Sequence, residues 1–265
     1  MARFVLPVSR IGVALAQPTI AEDVLLAEHR PDDPSLVLAL VERLARTDAA
    51  VNWQDLPITD IDTLIARLRQ AVVGDHVVAE AACTAPACGE RLDLSFRLGE
   101  WLADQRPRVG TLRGRGRQVE CDGDAPGWYK LRADDSDVIG FRLPTLADQI
   151  AIEGSTDPVS ALATRCIRPA QPRGRRAWVE SAMARLAPPL ATPLRGQCPH
   201  CGAEITALFQ ARHYCMRELY DRARFVFDDI DVLAERYHWS ERAIMTLPLT
   251  RRTQYVERAR QALTA

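Results

Sequence analysis

Two short cysteine turns constrain this chain more than anything else in it. Cys83-Thr-Ala-Pro-Ala-Cys88-Gly and Cys198-Pro-His-Cys201-Gly each lead into an alternating segment that ends on phenylalanine, ERLDLSF in the first and AEITALF in the second. Cysteines separated by two to four residues have the ligand spacing of a tetrahedral zinc site, and the glycine after each pair lets the backbone double back. The shared downstream pattern pairs the two turns across the 110 positions between Cys88 and Cys198. Cys83, Cys88, Cys198 and Cys201 therefore read as the ligands of one structural Zn2+, against an alternative of reduced, buried thiols. Four thiolates leave no open position for water or substrate, so such an ion would clasp the fold and not hydrolyse anything. His200, inside the second turn, is the alternative donor. Cys121, Cys166 and Cys215 lack paired spacing and read as small apolar side chains.

The remaining organisation follows from periodicity and punctuation. Residues 1–52 read as an N-terminal hairpin, over 10–28 around Gln17-Pro18-Thr19, followed by an amphipathic helix over 34–46. Residues 53–104 hold a capped helix from Thr59 to Val73 and then strand, first cysteine turn, strand. The stretch 105–140 mixes Gly, Pro, Arg and Asp with little periodicity and reads as an insertion or linker, with Trp128, Tyr129 and Leu131 as anchors. Residues 141–195 read as helical, with Thr145 or Asp148 opening one segment, Pro158 a second, and a third helix over 174–187. Residues 196–265 comprise the second cysteine turn, one long helix over 212–237, and two short helices capped by Ser240 and Thr250. The expected fold class is α+β, mainly α-helical, with a small zinc-ribbon-like β element built from the two cysteine turns.

Several function classes find no support in the residues. The chain shows no Walker phosphate loop, nucleophile elbow, HExxH or dinucleotide fingerprint, so the reading is non-enzymatic. A formal charge of −1 supplies no global field for nucleic acid or an anionic membrane. Arg113-Gly-Arg-Gly-Arg117 and Arg173-Gly-Arg-Arg176 keep a zinc-ribbon nucleic-acid module as the alternative, which the acids crowded around the first cluster weaken. No run of about 18 apolar residues occurs, and Arg10, Pro18 and Glu22 interrupt the N-terminal stretch, so a cytoplasmic protein without a membrane span is expected. Tyr237, Trp239, Arg251, Arg252 and Tyr255 have the residue types of a protein interface, although Trp239 also suits packing between the last helices.

Taken together, several segments resemble the baseplate-hub assembly proteins of T-even-like contractile tails and their relatives in phage-like contractile injection clusters. They are Leu56-Pro-Ile-Thr-Asp60 leading into LIARLRQAVVGD and the first cysteine pair, Phe141-Arg-Leu-Pro-Thr-Leu-Ala-Asp148, and ALATRC. The C-terminal part adds CPHCGAEITALF, Arg217-Glu218, Asp229-Ile-Asp-Val-Leu-Ala234, Tyr237-His-Trp-Ser-Glu241 and Arg251-Arg252 before Tyr255. The resemblance spans about residues 34–265 with gaps. It implies an assembly factor or minor component of the baseplate hub, with hub or other tail proteins as partners. The chain departs from the pattern in its Arg/Gly/Asp stretch, in the wider first cysteine pair and at Ala243.

Overall fold

The computed structural model describes residues 3–107, 118–134 and 137–264. Strands β1 (Arg3–Val5), β2 (Gly12–Leu15) and β3 (Ala45–Arg46) form a small antiparallel sheet, and helices α1 (Ile20–Glu28) and α2 (Pro34–Leu44) lie between β2 and β3. The hairpin expected over 10–28 is corrected here. Thr19 and Glu22 form a capping box that starts α1, and this local pairing outweighs the turn signal of Gln17-Pro18.

Helix α3 (Ile58–Val72) buries Ile61, Leu64, Ile65 and Leu68. Next come β4 (His76–Ala82), β5 (Arg91–Arg97) and α4 (Leu98–Asp104). The stretch expected as an irregular linker instead contains β6 (Gln118–Cys121), β7 (Trp128–Asp134) and most of β8 (Asp137–Arg142). Helices α5 (Leu146–Ile152) and α6 (Pro158–Cys166) lead to β9 (Ile167–Arg168), which completes a four-stranded sheet in the order β6-β7-β8-β9. Its core of Leu131, Ile139, Phe141, Cys166 and Ile167 is closed by Val179 and Ala182 of α7 (Arg173–Leu186). Strand is therefore more than a minor element: the fold is mixed α/β, with 49% helix and 23% strand.

Strands β10 (Ala191–Gln197) and β11 (Glu204–Gln210) follow, then α8 (Ala211–Ala223), α9 (Val226–Tyr237), α10 (Glu241–Met245) and α11 (Leu249–Thr264). The single helix expected over 212–237 is broken at Arg224 and Phe225. Thr250 lies inside α11, which starts one residue earlier and is 16 residues long, so it is neither a cap nor part of a short helix. Among the described residues no helix is long and apolar enough to cross a membrane.

The two cysteine segments repeat one αββα order, α3-β4-β5-α4 and α7-β10-β11-α8. All four strands are seven residues long and pair in full antiparallel register. Each unit closes with the same backbone bond: the N–H that opens the second helix donates to the carbonyl just before the first strand. These are Leu98 to Asp75 and Ala211 to Leu190, both at 2.8 Å. The two segments that carried the LP-type motifs also meet. Ile58 N–H donates to Pro144 and Leu146 N–H to Leu56, so the starts of α3 and α5 bridge one another.

Buried charges join distant segments. Asp148, 1% exposed, accepts from both terminal nitrogens of Arg142 at 2.5 and 2.7 Å and from Arg165 Nε at 2.8 Å. Burial alone would raise this carboxyl, but these bonds and the Thr145 N–H outweigh it and hold it well below the usual carboxylate range. Asp148→Asn is expected to cost about 3 kcal/mol in urea unfolding, the low end for orphaning a buried pair because Arg165 is itself 43% exposed. A carboxyl depressed on folding stabilises above its unfolded value and loses that contribution as pH falls. The wild-type advantage over Asp148→Asn should therefore shrink below about pH 4.

Candidate metal centre

Each cysteine turn sits at the tip of a hairpin. Cys83 directly follows β4 and Cys198 directly follows β10, while Cys88 and Cys201 each precede the returning strand by two intervening residues. The turns are two residues different in length, yet both return through a glycine at positive φ, Gly89 at 64° and Gly202 at 73°. That conformation is why glycine occupies both places. Backbone bonds from Cys83 N–H to Glu90 and from Cys198 N–H to Ala203 close the two loops at 2.8 and 2.9 Å.

The hairpin tips meet. Cys83 Sγ lies 3.7 Å from Cys201 Sγ, Cys88 Sγ lies 3.8 Å from Cys198 Sγ, and all four sulfurs fall within 4.8 Å of one another. A tetrahedron with metal–sulfur bonds of about 2.3 Å has sulfur–sulfur edges of about 3.8 Å. A disulfide would need sulfurs about 2.05 Å apart. The quartet thus has the spacing of a metal site, and all four thiols are free. Leu92 and Ile205, at matching places in the two returning strands, pack with Cys83 and Cys198 into a small apolar cluster beneath it.

The backbone already favours anionic sulfur. The N–H of Cys201 donates to Cys198 Sγ, outweighing burial together with the N–H of His200, and brings that thiol down to about 7. At Cys88 the N–H of Glu90 acts in the same sense, but burial and the three neighbouring thiols dominate, and the thiol is pushed up to about 12. Four sulfurs this close cannot all ionise without a cation among them, and a divalent ion supplies that charge. His200 takes part through its backbone, and the donor group consists of the four cysteines. Cys166 and Cys215 are buried away from the quartet, in the sheet core and the main core, and Cys121 is exposed.

At the opposite end the hairpins are joined by rings. Phe209 meets Phe96 and Trp101 edge-on, each with centroids 5.0 Å apart. These are the phenylalanines that end the two echoed segments. Tyr214 of α8 donates to the Val78 carbonyl of β4 at 2.8 Å, and buried Arg69 of α3 bridges Glu218 of α8 and the carbonyls of Gly74 and His76. The pairing of Arg69 with Glu218 had no signal in the sequence, since 149 positions separate the two.

The C-terminal residues read as an interface divide into two groups. Arg252 is corrected: it is 6% exposed and pairs with Asp23 of α1 and Asp229 of α9, so it belongs to the interior. Tyr237, Trp239 and Tyr255 pack on one another with centroids 4.9 to 5.5 Å apart, closing α9 against α11, and Arg251 is exposed. Phe225 and Phe227, by contrast, are 50% and 51% exposed, and the Arg224 guanidinium lies 4.5 Å over the Phe225 ring. Phe227 keeps the apolar spacing that runs from Met216 to Tyr237, yet it is exposed because the helix is interrupted at Arg224 and Phe225. Arg113, Arg115 and Arg117 lie outside the described residues. Arg173 and Arg176 open α7 with Asp157 nearby, whose carboxyl is lowered mainly by Ser160 and further by both arginines.

Comparison with protein-family models, curated proteins and solved structures found no match for this chain.

Metal analysis of freshly purified protein should give about one zinc per chain, lost in Cys201→Ser together with thermal stability. His200→Ala should retain the metal. Gly202→Ala should also retain it while costing about 1 kcal/mol for the left-handed backbone. Equal metal content in wild type and Cys201→Ser would rule out the four-cysteine site.

Proposed function

We propose that this chain is a non-enzymatic assembly factor or minor component of the baseplate hub of a contractile tail or contractile injection apparatus, clasped by one structural zinc in a zinc-ribbon-like element. The observation that carries the clasp is the sulfur spacing: two hairpin tips from distant sequence meet at the edge length of a zinc–thiolate tetrahedron. A closed set of four thiolates organises and does not turn over substrate, which supports a role in assembly. The resemblance of the LPIT, FRLPTLAD and C-terminal segments supports the contractile-tail setting.

The exposed Phe225 and Phe227, with Arg224 stacked on the first, are the residues on which this reading places partner contact. Aromatic side chains and arginine are enriched among interface residues that carry binding energy, and half-exposed phenylalanines have apolar area still to bury. The C-terminal ring cluster contributes its outer edges and Arg251.

Co-expression with the products of neighbouring genes, followed by capture on this chain, tests the proposal. Hub proteins should co-purify, and Phe225→Ser/Phe227→Ser should abolish capture while leaving the melting temperature and metal content unchanged. Neighbouring genes that encode no sheath, tube or baseplate protein, or capture indifferent to the double substitution, would defeat it. Retention on nucleic acid that weakens steeply with salt would instead favour a zinc-ribbon nucleic-acid module.

A further inference from the structure

A cleft of about 850 Å3 lies between the two largest apolar cores of the molecule. One wall comes from the β1–β2 turn, α3 and α4, and the other from β6, β7 and the end of α7. The first wall packs on the main core and the second on the core of the four-stranded sheet. Junctions between separately packed bodies are where small-molecule sites are most often built, and this volume lies within their usual range.

The chemistry of the walls is uneven in a way that selects a ligand. Leu102, Leu186, Leu190 and Tyr129 supply apolar surface, while Arg10, Arg67 and Arg106 supply three cations. None of these arginines forms an ion pair among the described residues. Arg67 donates to Gln70 through one terminal nitrogen, and its Nε–H is shielded from solvent without an acceptor. Arg106 donates to the carbonyl of Ala103, three residues back, and to no other group among the described residues. Among the described residues the one acid in the lining is Glu120, and it is already engaged by Arg132 at 2.7 Å. Elsewhere in this protein buried or half-buried arginines meet carboxylates, as Arg69, Arg142 and Arg252 do. An acceptor-less Nε–H alone does not mark an anion site, since Arg222 Nε is equally bare while that guanidinium holds Asp23. Arg67 differs in having no carboxylate at ion-pair distance among the described residues, only the Phe4 ring 5.8 Å from its guanidinium and the more distant field of Asp75.

We propose that this cleft binds a small organic anion, a carboxylate, phosphate or sulfonate carried on an apolar body, with Arg67 and Arg10 on the charged group and the leucines on the remainder. The proposal is independent of the assembly role and of the metal. Cys121, exposed and part of the lining, offers a built-in reporter.

The test uses 8-anilinonaphthalene-1-sulfonate, a sulfonate on an apolar aromatic body, with full-length, metal-loaded protein. Its fluorescence should rise and saturate at about one probe per chain, and bound probe should slow iodoacetamide modification at Cys121, followed by peptide mapping. Arg67→Met should weaken binding about tenfold, the factor expected for one charge-assisted hydrogen bond. Arg10→Met, at an exposed position without an ion-pair partner among the described residues, keeps the test decisive if Arg67→Met misfolds. Arg91→Gln, on a distant hairpin, should bind as wild type does. Wild-type affinity in both Arg10→Met and Arg67→Met, equal binding of the uncharged N-phenyl-1-naphthylamine, or emission that never saturates would each overturn the proposal. So would an acidic peptide that displaces the probe more tightly than any small carboxylate, since the occupant would then be a protein segment.

Discussion

The arrangement of this protein depends on four sulfur atoms meeting at one point. The contacts between Cys83 and Cys201 and between Cys88 and Cys198 join positions 118 and 110 residues apart, so the whole stretch between the knuckles leaves one hairpin tip and returns to the other. A two-stranded hairpin is only marginally stable alone, and here neither hairpin joins a larger sheet. Each is held at both ends instead. The ring contacts among Phe96, Trp101 and Phe209 fix the helix-proximal end, and the sulfur quartet fixes the tips. Beneath the tips the apolar cluster among the described residues is small, Cys83, Leu92, Cys198 and Ile205 buried with Ala85, Cys88 and Ala203 partly buried against them. At that end the thiols carry the constraint.

The interior between these clamps is specified by arginine–carboxylate contacts. Arg69 links α3, α8 and the start of β4, Asp148 links β8, α5 and α6, and Asp23 gathers Arg222 and Arg252 so that α1, α8 and α11 share one buried anion. A buried ion pair adds little net stability over a well-packed apolar pair, but removing one partner is costly, so such links penalise misarrangement. Nearly exclusive use of arginine for positive charge suits this role. The planar guanidinium of Arg142 spans both oxygens of Asp148, and that of Arg69 reaches a carboxylate and two carbonyls, which an ammonium could not do with fixed geometry.

What the sequence disclosed and what it hid divide along the range of the interactions. The cysteine turns, their glycines, three of the four flanking strands, the helix over 58–72 and the openings at Thr145, Pro158 and Ser240 are local and were legible, whereas β10 lay mostly within the segment 141–195 that read as helical. Helix α1 was hidden because two local signals competed: Gln17-Pro18 suggests a turn, and the capping box at Thr19 and Glu22 prevails. The strands within 118–142 were masked by Gly, Asp and Arg, and the apolar face of Leu131, Ile139 and Phe141 is covered by later segments, Cys166, Ile167 and then α7, which begins at Arg173. The break between α8 and α9 has no glycine or proline to announce it, and the apolar spacing runs on through it. Arg252 was misplaced for the simplest reason: its partner Asp23 is 229 positions away.

The repeated αββα order turns the clasp into a device for placing surfaces. In each unit the returning strand runs straight into a helix, β5 into α4 and β11 into α8, with only the strand's last residue as the cap. Helix α4 carries Leu102 and then Arg106 to the rim of the cleft, and α8 ends where Arg224 and Phe225 emerge. The orientation of both helices is therefore coupled to the hairpins, whose relative placement is shared among the sulfur tips, the aromatic base, the Arg69 and Tyr214 bonds and the main core. The four cysteines belong to neither of the two surfaces of different chemistry that follow these helices, one cationic and concave, the other aromatic and exposed. The main core, where α3 and α8 share Leu64, Leu68, Cys215 and Leu219, holds the two units together at their helices, and the thiol quartet adds a contact at the far tips, where apolar packing is thin.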